Sequence, residues 1–146
     1  MPEKKTLERV KKDKREGKSE STQAGEFVRE EIEHVREGKH GARSAKQVIA
    51  IGLSKARRAG IKLPPPKNAS KEVKEQAARE TRKAKSGGKR KTSAKRSRAS
   101  LRKLKGEGHS AASKTALSRH ARSAAARRSA ASRSRSAKKA AATRND

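Results

Sequence analysis

The chain has 146 residues but no cysteine, tryptophan or tyrosine, and a single phenylalanine, Phe27. The lack of cysteine excludes a disulfide framework, thiol chemistry and a zinc finger. One aromatic ring is too few to make a stacking platform for the bases of a single strand. Long apolar runs are absent too. The longest aliphatic run, Val48-Ile49-Ala50-Ile51, is far shorter than a membrane span. The start, MPEKKTLERV, has no apolar segment of the kind a secretion signal needs, so a cytoplasmic location is expected. Catalytic signatures are missing as well. There is no G-x-S-x-G, and Ser86-Gly87-Gly88-Lys89 lacks the upstream glycine of a phosphate loop. Neither an enzymatic activity, a cofactor nor a small-molecule substrate is expected.

Carboxylates are also scarce. Asp and Glu number 15 against 43 Lys and Arg, which leaves a net charge of +28. Hydrophobic residues make up 29% of the chain, many of them Ala, and charged residues 40%. So little apolar surface cannot offset chain entropy over the whole length. The composition therefore predicts a small all-α module inside a largely disordered basic chain. Charge of this size and sign calls for a polyanion, and nucleic acid is the abundant one. The basic stretches carry Ala and Ser where a membrane-inserting segment would carry Leu, Phe or Trp, so membrane binding is not expected.

The charge is uneven. Residues 1–66 hold 17 Lys/Arg and 10 Asp/Glu, whereas residues 67–146 hold 26 and 5. Pro64-Pro65-Pro66, a stiff spacer, falls between the two regions. Residues 1–20 read as a basic arm, with a short helix capped by Thr6 and stopped by Gly17. Residues 21–63 read as a helix-loop-helix module, residues 64–66 as a linker and residues 67–146 as a disordered Lys/Arg/Ala/Ser-rich tail. Within the tail, a weak, exposed helix at 70–85 is expected behind Ser70. Alanine-rich pieces near 112–128 are expected to become helical once phosphates neutralise them.

In the module, Ser21 or Thr22 is expected to cap a helix ending at Gly38, with Ala24, Phe27, Val28, Ile32 and Val35 on one stripe. Glu26, Glu30, Glu33 and Glu37 fall on the opposite face. Ser44 with Gln47 matches a capping box for a second helix that stops at Gly60-Ile61. Its apolar side holds Val48, Ile49, Ile51, Gly52, Leu53, Ala56 and Ala59. Gly52 on that side predicts close approach of another helix, with the segment 21–37 as a candidate. These apolar side chains are too few for a stable lone unit. Phe27, Val28, Ile32, Val35, Val48, Ile49, Gly52 and Leu53 are therefore read as a face for self-association, giving a homo-oligomer through 21–63, or for partner docking.

A helix-turn-helix reading would turn Lys46, Gln47, Ser54, Arg57 and Arg58 toward DNA. The connection of about seven residues is longer than the three or four such motifs use. His34 and His40 lie near Glu30, Glu31 and Glu37, but with no recognised metal-ligand spacing, so no metal is expected.

Residues 21–66 resemble a family of small basic bacterial proteins known only as a domain of unknown function. The signature is GKHG at 38–41, then Arg43-Ser44, Lys46-Gln47 and the run IAIGLSKARRAG at 49–60. The resemblance implies a bacterial source and a domain boundary, and no activity. The tail is similar in composition to the Ala/Lys-rich tails of histone H1-like bacterial proteins.

The expected function is largely sequence-nonspecific binding of duplex DNA, as a nucleoid-associated, histone-like protein working through phosphate contacts. The expected contacts are Lys46, Lys55, Arg57, Arg58, Lys89, Arg90, Lys91, Lys95, Arg96, Arg98, Arg102, Lys103, Arg119, Arg122, Arg127, Arg128, Arg133, Arg135, Lys138 and Lys139. Two other readings are a structured-RNA or ribosome-associated protein and a general polyanion-binding stress protein.

Overall fold

The computed structural model describes residues 2–87 and 93–144. Among them are seven α-helices and no strand: α1 Lys4–Arg15, α2 Glu20–Arg36, α3 Ala45–Arg58, α4 Lys71–Lys85, α5 Ala94–Lys105, α6 Lys114–Ala126 and α7 Ala130–Arg144, with a single 3-10 turn at Ser110–Ala112. Lys89, Arg90 and Lys91, expected as phosphate contacts, lie outside the described residues.

The helix ends follow local chemistry. Ser44 Oγ accepts the Gln47 N–H at 3.2 Å and opens α3. The Gln47 side-chain oxygen reaches back to the Arg43 N–H, one residue before the cap position a capping box would use. The cap of α2 is Ser19, which accepts the Thr22 N–H, so this helix begins earlier than a Ser21 or Thr22 cap would allow. Thr6 caps nothing; it is buried inside α1, which starts at Lys4. Gly17, Gly38 and Gly60 all have positive φ. At Gly60 the N–H bonds Arg57 O and the Ile61 N–H bonds Ala56 O, the paired pattern that ends a helix on a left-handed residue. Ile61 then packs beside Ala56.

Helices α2 and α3 run antiparallel and form the centre. One cluster joins Ala24, Phe27 and Ala56, flanked by Val10 of α1, Leu53, Ile61 and Leu63. The other joins Val35, Ala42 and Val48 to Ala111 and Ala112, flanked by Ile32. Phe27, Val35 and Val48 are completely buried, each contributing about 1.5–3 kcal/mol. Gly52 makes the helix contact close: a Cβ there would lie 2.6 Å from Val28 Cα.

Three additions complete what two helices cannot. Helix α1 crosses α2, with Val10 in the core and Arg9 3.6 Å from Glu26. Helix α4 docks on α3 through buried Ala77 and the pair Arg57–Glu80 at 3.5 Å. Residues 104–112 fold back onto the α2–α3 loop. There the Gly41 and Ala42 N–H groups bond Leu104 O and Gly108 O, and Arg36 Nε donates to Ala112 O. Only glycine fits at position 41, because a Cβ would meet Glu107 O at 2.0 Å.

The expectation of a largely disordered chain is therefore corrected. Residues expected to form a disordered tail carry α5, α6 and α7 as well as α4, the helix expected behind Ser70. Low hydropathy and high charge limit how much core a chain can bury, but helix hydrogen bonds are local and need no core. Ser70, Ser93 and Ser113 each accept the N–H three residues on, so each helix opens on a cap. Alanine, the best helix former, fills the turns that follow. The low apolar content shows instead in the exposed area. The chain exposes 11456 Å², whereas a compact monomer of this mass would expose roughly 7,400 Å². Helices α5, α6 and α7 bury none of their own residues.

Candidate functional site

Between 93 and 144 stand sixteen Lys/Arg and one carboxylate, Glu107. Among the described residues none of those sixteen is in an ion pair, and Glu107 itself lies 4.0 Å from Arg43 of the α2–α3 loop. Lys95, Arg96, Arg98, Arg102 and Lys103 are exposed on α5, and Arg133, Arg135, Lys138 and Lys139 on α7. Arg119 and Arg122 are exposed on α6, and Arg127 and Arg128 on the turn after it. Arg128 folds forward to bond the Ser132 carbonyl and hydroxyl.

The expected contacts on α3 divide into two pairs. Lys46 and Arg58 are exposed. Lys55 and Arg57 turn inward. Arg57 Nε donates to Leu63 O at 3.0 Å while its Nη1 faces Glu80. The fold brings Lys46 and Arg119 together, although they are far apart in sequence. With Arg43 and His120 they line a cleft of about 360 Å³ where the capped start of α3 meets α6. Arg43 belongs to the signature at 38–60 but was not among the expected phosphate contacts, and His120 had no distinguishing pattern in sequence. Their place beside Lys46 depends on residues 110–112 anchoring α6.

The chain itself buries half of the residues of the face expected to hold a second copy. Phe27, Val35, Val48 and Gly52 are buried, and Val28, Ile32, Ile49 and Leu53 half-buried. Among the described residues, the large apolar side chains left exposed, Leu7, Val73 and Leu101, are on three different helices.

A second polar constellation lies between α2, α3 and the start of the chain. Glu30 and Glu31, one expected on a solvated stripe, are at most 2% exposed. Lys55 Nζ from α3 binds Glu31 Oε1 and stands 3.9 Å from Glu30 Oε2. Glu30 Oε1 accepts the Glu3 N–H, while Glu30 Oε2 has no hydrogen-bond partner. His40 places Nδ1 2.9 Å from Gly41 O and Nε2 3.0 Å from Glu31 Oε2. His34 directs Nδ1 at Glu31 Oε1, 3.6 Å away, and Nε2 at Glu3 Oε1, 2.9 Å away. That His34 hydrogen bond and then Lys39 hold the Glu3 carboxyl down to about 2. One donor atom each from Glu31, His34 and His40 falls within 4.8 Å of the others. No recognised ligand spacing marks this group in sequence; the one cue passed over is Glu31-x-x-His34, a helical pair of the kind that ligates metals in bundles. His40 has no such cue, since the turn at Gly38 is what brings it back.

With α1 to α3, their glycine turns and the proline run in place, the comparison with known families is direct. Residues 4–68 match the Family of unknown function (DUF6496). The match extends the resemblance read at 21–66 to include α1. No curated protein and no solved structure matches the chain. The DUF6496 segment contains Glu30, Glu31, His34, His40 and Lys55, whereas α5, α6 and α7 lie beyond it. Gly41 belongs to the DUF6496 segment, yet the backbone packed against it, Glu107–Gly108, does not.

Proposed function

We propose that the chain is a non-enzymatic bacterial protein that binds duplex DNA at the nucleoid through phosphate contacts, largely without regard to sequence. The observation that carries this reading is the set of sixteen cations on residues 93–144, unpaired among the described residues and set against one carboxylate. Cations with no internal partner gain from releasing the counterions condensed on a duplex. Their carriers are exposed single helices, and the major groove of B-form DNA admits an α-helix, while the deep, narrow major groove of A-form RNA does not. The cleft formed by Arg43, Lys46, Arg119 and His120 would grip backbone phosphate beside the N–H groups at the start of α3. The α2–α3 hairpin is the scaffold that holds α6 against that helix start.

The test is a salt-titrated binding series on full-length protein freed of nucleic acid. Duplex DNA, duplex RNA, single strands and heparin are compared at matched charge. If about ten phosphates are engaged, the slope of log K against log salt is about −9, a loss near 10⁵ between 50 and 200 mM. Preference for duplex RNA would favour a structured-RNA role, and equal affinity for every ligand would reduce DNA to one polyanion among many.

A further inference from the structure

We propose that Glu31, His34 and His40 form a binding site for one divalent transition-metal ion, of which Zn²⁺ is the best fit. The site is independent of the cationic surface, and its three ligands lie within the DUF6496 segment.

Three observations carry the assignment. The first is the pairing of His40. Gly41 O and Glu31 Oε2, the neighbours of its two ring nitrogens, are both acceptors. A neutral imidazole has one N–H and satisfies only one of them, so the other nitrogen takes either a second proton or a cation between it and the carboxylate. With Nδ1–H on the carbonyl, the Nε2 lone pair faces the carboxylate, an arrangement a cation between them resolves. The second is the orientation of His34, which repeats this pattern: Nε2 is held by Glu3 Oε1 and Nδ1 faces Glu31. Each histidine thus has one nitrogen fixed by an outer oxygen and the other turned to the common carboxylate, the usual support for a metal-binding imidazole.

The third observation is Glu30 Oε2, an unpartnered oxygen on a side chain 2% exposed. Two buried carboxylates, Glu30 and Glu31, share one ammonium, Lys55. An ion on Glu31 frees Lys55 to move fully onto Glu30 Oε2, now 3.9 Å away. Both deficits then close together.

The spacing and donor types suit zinc. Bonds of about 2.0–2.1 Å in a tetrahedral shell put neighbouring donors roughly 3.3 Å apart. The nitrogen-to-oxygen separations here, 3.0 Å from His40 to Glu31 Oε2 and 3.6 Å from His34 to Glu31 Oε1, lie on either side of that value, and one donor atom from each of the three residues lies within 4.8 Å of the others, so a modest contraction closes the shell. Two imidazoles and a carboxylate favour zinc over the oxygen-seeking Mg²⁺ and Ca²⁺. The His34 side chain is 14% exposed, which gives the ion a way in.

The test uses full-length protein stripped with a chelator and titrated with Zn²⁺ alone by calorimetry, then with Co²⁺ followed by visible absorption. One equivalent is expected to bind, and Co²⁺ to give the intense bands of a four-coordinate site. His34→Gln and His40→Gln are expected to weaken binding by a hundredfold or more, and Glu3→Ala by about tenfold through the outer partner. His120→Gln, in the cleft where the start of α3 meets α6, is expected to leave it unchanged. No stoichiometric binding by the unmutated chain, or binding indifferent to His34 and His40, overturns the proposal. If a histidine variant does not fold, the Co²⁺ spectrum of the unmutated chain and the Glu3→Ala affinity decide the matter.

Discussion

Gly52 of α3 rests against the backbone of Val28 of α2, so closely that a Cβ on Gly52 would stand 2.6 Å from Val28 Cα and 2.9 Å from its N. Backbone cannot swing aside as a side-chain tip can. Alanine would gain about 1 kcal/mol of helix propensity but force the two helices apart, at an overpacking cost of roughly 1–3 kcal/mol. Gly52→Ala is expected to lower stability on balance, by up to about 2 kcal/mol. A thermal or urea melt of both proteins measures the difference, and a variant as stable as the parent would show that the hairpin adapts.

Gly41 offers a more local test. Its N–H and that of Ala42 are bonded by Leu104 O and Gly108 O. A Cβ at 41 would meet Glu107 O at 2.0 Å. Gly41→Ala is expected to release residues 104–112 while α2 and α3 stay paired. Hydrogen exchange should then speed up at Gly41's replacement and at Ala42, with little change in mid-α2 amides. Uniform loss of protection would mean instead that the fold-back holds the whole hairpin together.

Arg57 and Glu80 form the buried link between α3 and α4, both at most 9% exposed. Removing one partner strands the other's charge, a cost of about 3–5 kcal/mol when the site stays closed. Undocking α4 relieves that cost, so Glu80→Ala is expected to free α4 and leave α2 and α3 protected. Exchange at the α4 amides against those of α3 checks this outcome.

Cations on α3 and α6 are expected to separate into two kinds. Lys46→Gln and Arg119→Gln, at the cleft, should each reduce the salt slope of DNA binding by about 1 and leave the melting temperature alone. Lys55→Gln should do the reverse, because its ammonium is paired with Glu31 inside the protein. Equal slope changes from all three would contradict the division between exposed and inward-turned cations.

The elements around these residues differ in how far the sequence announced them. Gly38 and Gly60 were recognisable as helix stops, and Ser44 as a cap, since each acts on backbone groups a few residues away. Gly52 could be read as a close contact because a glycine in the middle of an apolar side has few other uses. Glu30 could not be placed. Helical spacing put it opposite the apolar stripe, where solvent was the default neighbour, but Lys55 of α3 and the Glu3 N–H occupy that side. Arg57 likewise looked like any surface arginine until α4 brought Glu80 to it. The tail was misjudged for a different reason. Its composition measures the ability to build a core, and α5 and α7 bury none of their residues.

What the sequence by itself determined was therefore local: the caps at Ser44 and Ser70, the glycine stops, the apolar stripes of α2 and α3, and the excess of cations beyond the proline run. Each rests on hydrogen bonds and charges among near neighbours in the chain. The tertiary structure alone decided which charges meet. It buried Glu30, Glu31, His40 and Arg57, laid residues 104–112 over Gly41, and set Arg119 beside Lys46. Those pairings join residues from 9 to more than 60 positions apart, and whether a charged side chain faces water or a partner depends on the segment that packs over it.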